Sequence, residues 1–89
     1  MINVGGNKVS PLLVEEFAIR QGATSARAFA VPNALMGSLV ALEYSGGPDE
    51  RSLAIQFRAS FPKYACPASV RKVSQVAMTN AGKTKRLSP

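Results

Sequence analysis

Between residues 53 and 61, Leu53, Ile55, Phe57, Ala59 and Phe61 alternate with Ala54, Gln56, Arg58 and Ser60. Period two over nine residues is the pattern of a strand with one face buried. Upstream, Val40, Leu42 and Tyr44 alternate more weakly with Leu39, Ala41 and Glu43. The intervening Ser45-Gly46-Gly47-Pro48-Asp49-Glu50 is rich in residues that tolerate positive φ or preset a turn. The spacing predicts an antiparallel hairpin of residues 38–45 and 52–61, with Leu53, Ile55 and Phe57 buried.

Residues 11–31 admit two forms. Ser10-Pro11 is a helix start and Gly22 a helix stop. On a helical wheel Leu13, Val14, Phe17 and Ala18 share one side, but Leu12 and Ile19 fall on the other. Read as strands, Phe17 and Ile19 alternate with Glu16, Ala18 and Arg20, while Arg27, Phe29 and Val31 alternate with alanines. A second hairpin turning at Gly22-Ala23-Thr24-Ser25 is the preferred form, ended by Pro32-Asn33. The helix is the alternative.

Residues 67–79 predict an amphipathic helix opened by Pro67, with Val70, Val73, Val76 and Ala77 on one stripe and Arg71, Lys72, Gln75 and Thr79 opposite. Three valines are only fair helix formers, so a fifth strand is the alternative. Asn80-Ala81-Gly82 would stop that helix, leaving the basic tail 83–89. The expected fold is α+β and mostly antiparallel β. It comprises two hairpins (four strands) and a C-terminal helix within one domain, 1–82, followed by the tail. At 89 residues the core must be compact and the stability modest.

Charge is split along the chain. Residues 1–50 carry Lys8, Arg20 and Arg27 against Glu15, Glu16, Glu43, Asp49 and Glu50, a balance of 3 − 5 = −2. Residues 51–89 carry Arg51, Arg58, Lys63, Arg71, Lys72, Lys83, Lys85 and Arg86 with no acid, so +8, and the halves sum to the formal +6. A half-chain without an anion projects a positive field unless the fold brings the acidic half alongside.

Several chemistries lack their residues. There is no His, and Cys66 is the single cysteine. A monomeric zinc site, a Ser-His-Asp or Cys-His nucleophile and an internal disulfide are therefore excluded. Gly5-Gly6 and Gly46-Gly47 have neither phosphate-loop spacing. The paired acids Glu15-Glu16 and Asp49-Glu50 are adjacent in sequence, which does not place two carboxylates on one face. Cys66 reads as an inert thiol. The longest apolar runs fall far short of the roughly 18 residues that span a bilayer, and the start of the chain lacks the basic and apolar regions of a secretory leader. The expectation is a non-enzymatic, cytoplasmic protein without cofactor or small-molecule substrate.

What remains is a basic surface. Phe57, Phe61 and Tyr64 are interleaved with Arg58 and Lys63, the mixture that single-strand nucleic-acid platforms use. Phe57 and Phe61 share the apolar face and belong to the core, which leaves Arg58, Lys63 and Tyr64 as surface candidates. Arg71 and Lys72 on the expected helix, and Lys83, Lys85 and Arg86 on the tail, complete a nucleic-acid surface following the phosphate backbone of DNA or RNA. Another class stands beside it. An Ala- and Val-rich chain can complete its core against a second copy as a homo-oligomeric structural subunit, of a virion for example, or cover a partner as a small inhibitor.

Overall fold

Gly5 and Gly6 take φ values of 56° and 88°, the left-handed pair that a two-residue hairpin turn demands. They fold Ile2–Val4 (β1) onto Asn7–Val9 (β2), with Ile2 opposite Val9. The computed structural model describes residues 1–76.

Pro11–Arg20 (α1) is a helix, so the alternative form of this segment is the one adopted and no hairpin spans 11–31. Ser10 caps it, its Oγ accepting from the Leu13 N–H at 3.4 Å, and Pro11 occupies the first turn, where its missing N–H is harmless. Val14, Phe17 and Ala18 are buried at helical spacing, while Leu12, Leu13 and Ile19 stay exposed. Leu12 and Ile19 blurred the stripe from the other side, while Leu13, expected on it, lies at its exposed margin.

Ser25–Asn33 (β3) pairs antiparallel with Gly37–Ser45 (β4) along its whole length, from Ser25 opposite Ser45 to Asn33 opposite Gly37. Both strands were expected, but each was assigned a different partner. Asn33 closes the turn between them. Its side-chain oxygen accepts from the backbone N–H groups of Leu35 and Met36 at 3.0 and 2.8 Å.

The predicted partner of β4 is a helix instead. Glu50–Ser60 (α2) follows Asp49, whose extended backbone (φ −74°, ψ 166°) sits at the N-cap. Leu53 and Phe57 are fully buried, as the alternation required, but Ile55 is 51% exposed. The physical reason lies in the spacing. Positions 53, 57 and 61 are four apart, so a period of two and a period of 3.6 both place them on one side.

Residues 69–72 depart from expectation too. Ser69–Lys72 (β5) is a strand parallel to β4, with Val70 opposite Leu42, and no helix forms over 67–76. Open β4 carbonyls decide this: Val40 O accepts from Ala68 N–H and Tyr44 O from Val73 N–H, each at 2.8 Å. The remainder of the expected helix, its stop at 80–82 and the tail 83–89 lie outside the described residues.

The architecture is a small α+β fold with a mainly antiparallel sheet and two helices. The strands run β2-β1-β4-β3, and β5 joins β4 on the side where β1 meets only Gly37. A parallel pair needs a crossover, and α2 supplies it between β4 and β5. Val40, Leu42 and Tyr44 of β4 point into the core with Ala28 of β3. The helices join there through Phe17, Phe57 and Phe61, whose ring centroids lie 4.7 to 5.2 Å apart. On the opposite face Arg27 pairs with Glu43 at 3.4 Å and lies 4.4 Å over the Phe29 ring.

Candidate functional site

The five described basic-surface candidates do not form one surface. Arg58 is exposed on α2, and Lys63 and Tyr64 stand on the short 3-10 turn Lys63–Ala65. Arg71 lies in β5 opposite Glu43, the carboxylate that Arg27 already holds. Lys72 is drawn to the acidic turn. Its backbone N–H donates to a Glu50 carboxylate oxygen at 2.8 Å and its Nζ to Gly47 O at 3.2 Å. The fold thus brings acids from the negative half beside two of the expected cations. Arg58 and Lys63 stand together around one hollow, with Tyr64 next to Lys63 in the chain. Lys83, Lys85 and Arg86 lie outside the described residues.

Arg58 and Lys63 frame a hollow of about 300 Å³ floored by Phe61 and Cys66. Lys63 and Cys66 also line a larger cleft of about 580 Å³, between the β1–β4 side of the sheet and the chain leading into β5. Its walls are Val4, Met36, Leu39, Val40, Tyr64, Pro67 and Ala68. No Asp or Glu lines either space. The sequence reading found the cations but missed the cleft, because its walls come from three separated segments and share no periodicity.

Cys66 closes the floor. Its thiol faces the carbonyl oxygens of Phe57, Phe61 and Pro62 at 3.4 to 3.6 Å. Burial pushes its pKa above the usual thiol value, against a smaller lowering by Arg58. Such a thiol stays protonated near neutrality and is a poor nucleophile. Among the described residues no group of three or more His, Cys, Asp or Glu side chains could hold a metal ion, and no helix is long and apolar enough to cross a membrane.

No family model and no curated protein matches the chain. Solved structures do match its fold. A fatty acyl CoA synthetase of Mycobacterium tuberculosis superimposes with a TM-score of 0.80 at 20% identity, over 93% of this chain and 17% of that one. An acyl-CoA synthetase of Brucella canis gives 0.77 at 20% identity, over 92% and 17%. The amide bond synthetase Mcba of Marinactinospora thermotolerans, as a mutant, gives 0.79 at 24% identity, over 91% and 18%. At these identities the likeness is one of fold. The chain spans about a sixth of the length of the structures it matches.

Proposed function

We propose that the chain is the small α+β module of an acyl-CoA synthetase-like ligase, acting with a larger domain and holding no complete active site of its own. The observation that carries this is the size relation. Nearly the whole chain fits a part of several synthetases, each about five times longer. On this reading the module is part of an enzyme, in place of the non-enzymatic protein expected from the sequence. The polyanions that its exposed cations meet are then the phosphates of ATP or CoA. The test is a graft replacing the matching segment of the Mycobacterium tuberculosis fatty acyl CoA synthetase with this chain. The measured quantity is fatty acyl-CoA formed from fatty acid, ATP and CoA. The graft should exceed the truncated enzyme by at least tenfold; a folded graft no better than the truncation refutes the proposal.

A second reading keeps a nucleic-acid surface around Arg58, Lys63 and Tyr64, supported by two exposed cations beside an exposed aromatic ring. Phosphate contacts release counterions, so the two cations, if both engaged, give a log K against log salt slope of about −1.8 on duplex DNA. Absence of binding to DNA and RNA oligonucleotides at low salt removes this reading. Self-association as a structural subunit would instead give a large species on gel filtration, whatever the salt.

A further inference from the structure

We propose that the outer surface of the two helices is a self-complementary docking face, on which a second copy of this chain binds about a two-fold axis to form a closed dimer. The proposal stands on residues of α1 and α2 and does not depend on the ligase reading. Both helices cover the same face of the sheet and meet through Phe17 and Phe57, whose ring centroids lie 4.7 Å apart. Their far sides therefore form one outward layer. On that layer Leu12 is 60%, Ile19 44% and Ile55 51% exposed. Large aliphatic side chains gathered on one side of a small protein gain by being covered.

Charge selects the occupant. On α1, Leu12, Glu16 and Ile19 follow at i, i+4 and i+7, on the side away from the buried Val14, Phe17 and Ala18. Their order is apolar, acid, apolar. On α2, Arg51, Ile55 and Arg58 repeat the same spacing, all exposed, in the order base, apolar, base. Laid against each other, the two stripes set Glu16 between two guanidinium groups and the arginine stems over Leu12 and Ile19. One chain carries both stripes, so its helix layer is complementary to itself. A two-fold axis running between the helices, in the plane of their outer surface, sets α1 on α2 of the second copy and α2 on its α1 at once. A contact used twice in this way leaves no end open for a third copy. The helices have 10 and 11 residues, so they run about 15–17 Å at 1.5 Å per residue. Side by side, each about 10 Å across, they present roughly 300 Å² in projection, a patch at the small end of specific interfaces. The dimer is therefore a weak one that forms at high protein concentration.

The experiment is sedimentation equilibrium of the full chain from about 10 μM to about 1 mM, the range in which so small an interface dissociates. A monomer–dimer equilibrium without larger species is expected. Glu16→Arg should weaken the dimer at least about tenfold, and so should the double variant Arg51→Glu/Arg58→Glu, because each substitution enters the pair twice. All three positions are exposed, so circular dichroism should show both variants folded. An equimolar mixture of the two variants should recover the dimer. In that mixture the reversed stripe of each chain meets the reversed stripe of the other, and the unchanged stripes meet likewise. A chain that stays monomeric up to about 1 mM overturns the proposal and leaves the helix layer to a different protein. A dimer indifferent to the charge reversals, a species larger than a dimer, or a mixture that fails to recover the pair overturns it as well.

Discussion

Phe57 shows how much one side chain carries here. It is fully buried, it touches the rings of Phe17 and Phe61, and it ties the two helices together above the sheet. Phe57→Ala should lower stability by about 3–5 kcal/mol in a urea titration, transfer and cavity contributions together; a loss under about 1 kcal/mol would contradict this packing. Gly47 is constrained differently. Its φ is +73°, and a Cβ there would collide with the backbone of Gly22, whereas a Cβ on Gly6 (φ +88°) would meet nothing within 4 Å. Gly47→Ala should therefore be the more destabilising of the two by about 1 kcal/mol or more, because it adds a backbone collision to the left-handed strain both share. Cys66→Ser should leave whatever activity is found unchanged, since burial holds the thiol protonated and no base stands beside it.

At the scale of elements, α2 is separated from a strand by a single position. A strand would bury Ile55 with Leu53 and Phe57, whereas the helix exposes it. Ile55→Lys should then change stability by no more than about 0.5 kcal/mol, the range of ordinary surface substitutions. A loss of several kcal/mol would restore the strand. The sheet edge is also managed by a helix. The Ala28 N–H leaves β3 on the side away from β4 and donates to a Glu15 carboxylate oxygen of α1 at 2.8 Å. Two residues alternate between bonded and outward N–H groups in such a ladder, so Pro32, lacking an N–H, falls on the same outer edge. Such edges invite pairing with another chain unless blocked. Glu15→Ala should cost about 1–2 kcal/mol through the lost charge-assisted bond, read as a lower urea midpoint. It should also raise the tendency to associate, read by light scattering.

For the molecule as a whole, Tyr44 and Asp49 are two described groups whose shifted pKa values link stability to pH at its two ends. The phenol of Tyr44 is held above its ordinary value, by burial first and then by the negative charges of Glu50 and Asp49, and it donates to Pro48 O at 2.7 Å. The folded chain keeps that proton more tightly than the unfolded chain does. Its contribution is full below about pH 10 and is lost as the pH rises through the folded value. Asp49 is held below the usual carboxylate range, chiefly by the Ser52 hydroxyl and further by backbone N–H groups and Lys72, against a partial desolvation. Its contribution is present above about pH 4 and is lost as the pH falls through the folded value. Stability followed from pH 2 to pH 12 should fall at both ends. Tyr44→Phe should flatten the alkaline limb and Ser52→Ala the acid limb; unchanged limbs would show that other groups set them.

Local chemistry was legible in the sequence. Ser10-Pro11 marked a helix start, although a hairpin was the preferred form of 11–31; 27–31 and 38–45 were strands, the glycines of 45–50 turned the chain, and Leu53 and Phe57 were core. These follow from φ preferences and from apolar alternation, which act within a few residues. The partners of the elements were not legible. Residues 53–61 satisfied two periods at once, and the choice fell to the helix because α1 offers Phe17 to Phe57 and Phe61 on the same face of the sheet. Residues 69–72 became a strand because β4 presented unpaired carbonyls at Val40 and Tyr44, a condition created only once β3 had taken the other edge. The charge split was likewise real in the sequence, but its field was redistributed when Lys72 met Glu50 and Arg71 came opposite Glu43. The cleft beside Lys63 exists only in three dimensions, since Val4, Leu39, Tyr64 and Pro67 are brought together by strand pairing over distances that no sequence period spans.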